Sequence, residues 1–151
     1  MADLDSFRAD VSAWLRDNKQ HAPRNYGAIV PPELVEQGVA WQRRLYDAGM
    51  TGFHWPVGHG GKGLTNDHTA TWLEEAALAD VPPFLNMVSI VLMGETVMAH
   101  GMPEQKERFL HPTLRGEIVW CQLFSEPGAG SDLASLATKA TRDGDEFVLN
   151  G

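Results

Sequence analysis

Apolar residues recur at helical spacing along most of this chain and change period near its end. Leu4, Phe7, Val11, Trp14 and Leu15 share one stripe with charges between them, which predicts an amphipathic helix that stops before Pro23. A second helix begins after Pro31 and Pro32, where proline is tolerated in the first turn. It aligns Leu34, Gly38, Trp41 and Leu45 and stops at Gly49. Residues 51–63 are rich in glycine, carry Phe53 and Trp55 and have no period, so they read as a structured loop. Thr65 is placed to cap a third helix containing Trp72, Leu73, Ala76 and Ala77, which ends before Pro82. A fourth, from about Phe84 to His100, is apolar on most of its circumference and is expected to pack on several sides. Gly101 and Pro103 separate it from a fifth, through Glu104, Phe109 and Leu110, that ends near Gly116.

Beyond Gly116 the pattern turns β-like. Ile118, Val119, Trp120, Cys121, Leu123 and Phe124 form one run, and strands are expected around residues 136–141 and 147–149, joined through Asp143 and Gly144 as a hairpin. Helices followed by strands is the α+β order, not alternating βαβ. The predicted fold is mainly α: a helical domain over residues 1–117, then the first strands of a β domain over residues 118–151. Three short strands cannot bury two faces, and the final Asn150–Gly151 pair is a turn signal. The sheet is therefore expected to be incomplete and the chain a fragment.

Composition narrows the partners. The chain has 151 residues, which suits one main core, and it is 43% hydrophobic and 21% charged, as globular proteins are. A net charge of -8 with no local Lys/Arg stripe argues against nucleic acid and anionic membranes. The apolar stretch Val81–Gly94 is shorter than a membrane span and is interrupted by Pro82, Pro83, Asn86 and Ser89. Residues 1–10 show no secretory signal, and a single cysteine excludes an internal disulfide, so a cytoplasmic setting is expected.

Most candidate motifs have a plain structural explanation. Gly58, Gly60 and Gly63 match the G-x-G-x-x-G spacing of dinucleotide folds, but Pro56 interrupts the strand that motif needs, and a tight interhelical loop explains them better. The six histidines include no metal-ligand spacing and are expected on the surface or in loops. Glu74 and Glu75 diverge by about 100° on a helix and read as a solvated or salt-bridged face. Cys121, within an apolar run, reads as a buried, inert thiol.

Residues 122–132, Q-L-F-S-E-P-G-A-G-S-D, are richer in chemistry. Pro127 and Gly128 suit the centre of a type II turn, and Gly130 permits a second positive φ, which would gather backbone N–H groups into an anion-binding nest. Ser131 adds a hydroxyl, and Asp132 is placed to cap the next turn. No Lys follows the glycines, so this is no ATP-type phosphate loop. Phe124 and Ser125 offer an apolar wall and a donor for a flat heterocycle joined to a diphosphate. Turn chemistry alone favours the plainer alternative, an ordinary Pro-Gly turn capped by Ser and Asp.

The run S-E-P-G-A-G-S-D after a β-type segment closely resembles the flavin-binding signature of acyl-CoA dehydrogenases. F-H-W-P-V-G-H-G-G-K-G-L-T resembles that family's W-P-x-x-x-G-G loop, and G-M-P-E-Q-K-E-R-F-L-H-P-T-L-R-G-E resembles its G-x-x-x-Q-K-x-x-F-L-x-x-x-x-x-G-E helix. The resemblance implies FAD as cofactor, an acyl-CoA thioester as substrate and an electron-transferring flavoprotein as electron acceptor. It also implies assembly as a homo- or hetero-oligomer, a tetramer in the family. By motif position, Gln122, Leu123, Phe124 and Ser125 would bind the cofactor, Phe124 and Ser125 against the isoalloxazine ring, and Gly130 and Ser131 would meet the pyrophosphate, with Ser131 also near the CoA arm. Gln122 stands where some members have tyrosine, and Ser125 where threonine is common. The apolar helix with Phe84, Met87, Val88, Val91 and Leu92 would line part of the acyl cavity. The family's catalytic glutamate lies beyond the equivalent of Gly151, so no catalytic residue is expected here. Acyl-CoA oxidases and some flavin monooxygenases share the scaffold, and a non-catalytic acyl-CoA-binding or partner-binding helical module is the third reading.

Overall fold

The computed structural model describes residues 4–26, 30–85 and 87–151; the expectations placed on residues 1–3 and on Asn86 lie outside them. The chain divides into two compact units, Met1–Trp120 and Cys121–Gly151.

The first unit is helical. Helix α1 spans Leu4–Asn18, α2 Val35–Asp47, α3 Asn66–Leu78, α4 Gly94–His100 and α5 Pro103–Leu114. Their predicted stripes meet in one core, in which Val11 and Leu15 of α1, Trp41 and Leu45 of α2, Trp72 and Ala76 of α3 and Leu110 and Leu114 of α5 are buried with Phe53 and Trp55. Prolines open α2 and α5 as expected: a 3₁₀ turn, Pro32–Leu34, precedes α2, and Pro103 is the first residue of α5. Gly49 and Gly116, at φ 71° each, end α2 and α5. Across the α1–α3 packing, Arg8 donates to both Glu74 and Glu75 at 2.6 Å, and Ser12 also donates to Glu75. The two carboxylates that diverge on α3 therefore share one guanidinium.

The loop between α2 and α3 is closed by its own backbone. Lys62 N–H donates to Gly52 O at 2.9 Å, Gly63 to Trp55 O at 2.9 Å and Leu64 to Phe53 O at 2.8 Å. Gly60 and Gly63 take φ 86° and 65°, so the spaced glycines serve an interhelical loop. A side chain at Gly61 would put its Cβ 2.1 Å from Trp55 O. Within this loop His54 pairs with Glu95 of α4 and sits 2.9 Å from Thr69 Oγ1 of α3.

Three expectations for this unit need correction. His68 is buried rather than superficial. It occupies the first turn of α3, where Thr65 N–H donates to its Nδ1 at 3.3 Å and its ring packs edge-on against Phe7 at 4.9 Å. Phe84 is not helical: it lies buried in a bend, and a π-helical stretch, Val88–Met93, leads into α4. The reason is the preceding linker, whose carbonyls are taken by side chains. Trp41 donates to Pro82 O at 2.8 Å, Trp72 to Pro83 O at 3.1 Å and Tyr26 to Leu85 O, while Gln42 accepts from Leu85 N–H at 2.9 Å. The helix is also not enclosed, because Ser89, Ile90 and Gly94 are buried but Met87, Val91 and Leu92 are exposed.

The second unit is small. Strands β1, Lys139–Asp143, and β2, Glu146–Asn150, pair antiparallel with Asp143 opposite Glu146. The connecting residues are Gly144 and Asp145, one position later than expected, with Gly144 at φ 61° in the first central position of a two-residue loop. The predicted run at residues 118–124 forms no strand. A β-strand exists only by pairing, and among the described residues none pairs with residues 121–125. Cys121 is consequently exposed, not buried.

Candidate functional site in the SEPGAGSD turn

The turn is built around Glu126 and Ala129. Glu126 N–H donates to Ala129 O at 2.9 Å and Ala129 N–H to Glu126 O at 3.1 Å, so Pro127 and Gly128 occupy the two central positions. Neither Gly128 nor Gly130 has a positive φ, which corrects the expected type II turn and nest. Pro at the first central position with no left-handed residue after it is the type I pattern, which places no φ demand on Gly128. Asp132 stands at the N-cap position of the 3₁₀ turn Leu133–Ser135, but its carboxylate accepts the Ser135 hydroxyl and makes no capping bond to a backbone N–H, which corrects the expected cap.

The six residues singled out by sequence lie on the two arms of this turn. Gln122, Leu123, Phe124 and Ser125 form the extended incoming arm, all exposed, with Leu123 at 88% and Phe124 at 65%. Gly130 and Ser131 begin the outgoing arm, so Ser125 and Gly130 are the next residues outward from the Glu126–Ala129 bridge. Ala129 alone in this segment is buried, at 3% exposed. The turn spends the Ala129 N–H internally and leaves the N–H groups of Gly128, Gly130 and Ser131 and the Ser125 and Ser131 hydroxyls uncommitted. A Cβ at Gly128 or Gly130 would meet nothing within 4 Å. These neutral donors form no nest, but as free N–H and O–H groups beside open glycine backbone they are compatible with a diphosphate.

One residue of the turn was missed by sequence reasoning. The Glu126 carboxylate accepts from Ala137 N–H and Thr138 N–H at 2.8 Å each. The Thr138 side chain, then these backbone N–H groups, hold its pKa below the usual carboxylate range. Nothing local announces this, since the partners lie far downstream.

In the first unit, a groove of about 970 Å³ is lined by Arg16, Arg24, Tyr26, Pro82 and Leu85 among others. Among the described residues no cluster of three or more His, Cys, Asp or Glu is placed to hold a metal, and no helix is long and apolar enough to cross a membrane.

A helical unit followed by this turn and a hairpin is an arrangement with known counterparts. The family model described as the N-terminal domain of acyl-CoA dehydrogenase matches residues 2–117, and the chain belongs to the acyl-CoA dehydrogenase family. Among its relatives is the acyl-CoA dehydrogenase IpdE1 of Mycobacterium tuberculosis, 45% identical over 156 aligned positions that cover 100% of this chain and 40% of that protein. The chain thus spans less than half the length of such relatives. Among solved structures, the Tcur3481-Tcur3483 steroid ACAD matches with a TM-score of 0.76 and 34% identity, over 100% of this chain and 38% of that one. The ChsE4-ChsE5 complex from Mycobacterium tuberculosis matches with a TM-score of 0.76 and 28% identity, over 100% of this chain and 37% of that one.

Proposed function

We propose that this chain supplies residues 1–117 as the helical domain, and residues 118–151 as the opening of the β domain, of an FAD-dependent acyl-CoA dehydrogenase. The observation that carries this reading is the SEPGAGSD turn, with its uncommitted N–H groups and hydroxyls beside open glycine backbone. FAD held there would supply the acceptor for the hydride lost from the β carbon of the thioester. Phe124 would give the flavin ring an apolar wall, and the exposed Ser125 hydroxyl would donate toward the ring edge, where reduction develops negative charge. Gly130 and Ser131 hold the diphosphate, and Ser131 also meets the CoA arm. No residue of this chain is assigned as the base that removes the α proton.

The substrate class we favour is a bulky, steroid-derived acyl thioester, on the strength of the steroid ACAD among the similar structures. Met87, Val91 and Leu92, apolar and exposed beside the π-helical stretch, provide wall for such a group. Assembly with further subunits and electron transfer to an electron-transferring flavoprotein, in the cytoplasm, complete the proposal.

Anaerobic titration of the full-length protein, loaded with FAD, tests it directly. A steroid-type acyl-CoA should bleach the flavin absorbance. Rapid reoxidation by oxygen would identify an oxidase instead, and saturable heat from acyl-CoA binding without flavin would identify a binding module.

A further inference from the structure

The SEPGAGSD loop is closed at its base by Glu126 acting twice. Its backbone pairs with Ala129, and its carboxylate reaches across the loop to the start of β1, with Oε2 accepting from Ala137 N–H and Oε1 from Thr138 N–H at 2.8 Å each. Between those anchors lie Gly128, Gly130 and Ser131, whose N–H groups have no internal partner. Holding a glycine-rich segment in one shape costs conformational entropy, so a contact that fixes both of its ends stabilises that shape. Here one side chain does so.

The electrostatics are also arranged. A carboxylate beneath an anion-binding loop would oppose an incoming diphosphate, because like charges repel. Both oxygens of Glu126 are instead occupied by N–H groups whose positive ends offset its charge. We propose that Glu126 is a positioning residue for the cofactor diphosphate: by tying residues 126–129 to Ala137 and Thr138, it fixes the spacing of the Gly128, Gly130 and Ser131 donors. The inference rests on the flavoprotein reading above. The carboxylate remains ionised below the usual range through its bond to the Thr138 side chain and to the backbone, as a permanent strap requires.

The experiment uses the full-length apoprotein and its Glu126→Ala and Glu126→Gln variants, titrated separately with FAD and with riboflavin, which has the ring but no diphosphate. Glu126→Ala should weaken FAD binding by about tenfold or more, the scale of losing hydrogen bonds to a charged group, and leave riboflavin binding within about twofold. Glu126→Gln keeps an acceptor oxygen and should fall between Ala and wild type. FAD affinity within about twofold of wild type in Glu126→Ala overturns the inference, as does equal weakening of FAD and riboflavin, which marks general loss of packing. If Glu126→Ala does not fold, unchanged FAD affinity in Glu126→Gln overturns it. Wild-type protein that takes up no FAD overturns the functional reading as well, whereas wild-type uptake with insensitive variants overturns the inference alone.

Discussion

The side-chain amide of Gln42 accepts the Leu85 N–H at 2.9 Å and donates to Leu114 O at 2.7 Å, so one buried residue of α2 joins the linker before the π-helical stretch to the end of α5. Gln42→Leu would leave a buried donor and a buried acceptor without partners. It should cost about 2–4 kcal/mol, read as a lowered midpoint in urea denaturation.

Tyr26 grips the same linker by donating to Leu85 O, and burial pushes its pKa up to about 12 from 10.0. The unfolded chain therefore releases this proton at lower pH than the folded one, and the stabilisation is complete below pH 10.0 and lost as pH rises toward about 12. The wild-type stability advantage over Tyr26→Phe should shrink across that window, as followed by denaturation midpoints.

Glu75 behaves with the opposite sign. The Ser12 hydroxyl, then Arg8, lower its pKa below 4.5, so its contribution is present above that value and lost as pH falls through the depressed one. Wild type should exceed Glu75→Gln in stability at neutral pH and converge with it in acid. Glu74→Ala, which removes only the more exposed partner of Arg8, should cost less than about 1 kcal/mol.

Trp55 is held between two glycines. A Cβ at Gly94 would lie 2.1 Å from Trp55 Cζ2, and one at Gly61 would lie 2.1 Å from Trp55 O. Gly94→Ala and Gly61→Ala should each cost about 2 kcal/mol or more through overpacking, while Gly58→Ala, with nothing within 4 Å, should stay within about 0.5 kcal/mol. Thermal melting of the three variants separates these outcomes.

Ser125→Ala in the full-length flavoprotein tests the role proposed for its hydroxyl. Flavin reduction should slow on the order of a hundredfold with an unchanged melting temperature. Unchanged stopped-flow reduction removes Ser125 from the site.

Much of the helical unit was legible because its signals are local. The stripe from Phe7 to Leu15, the prolines ahead of α2 and α5 and the stops at Gly49 and Gly116 act within one or two helical turns. The position of the SEPGAGSD turn was equally legible, since Pro and Gly punctuate the chain wherever they stand, but its type was not. The β-type run at residues 118–124 differs for the converse reason: its apolar content is real, but a strand needs a partner strand, and these residues find none among the described residues.

By itself the sequence determined the order of helices, the stripes that form the core, the hairpin after the turn and the segment that carries the candidate chemistry. Tertiary structure alone decided that Gln42 and His68 are core residues, that four side chains around residues 82–85 delay the fourth helix, and that Glu126 straps its loop to Ala137 and Thr138. The physical reason is range. Periodicity, capping and turn preference are set by neighbours a few residues apart, whereas a buried polar group takes its meaning from the donor or acceptor that folding brings to it from elsewhere in the chain.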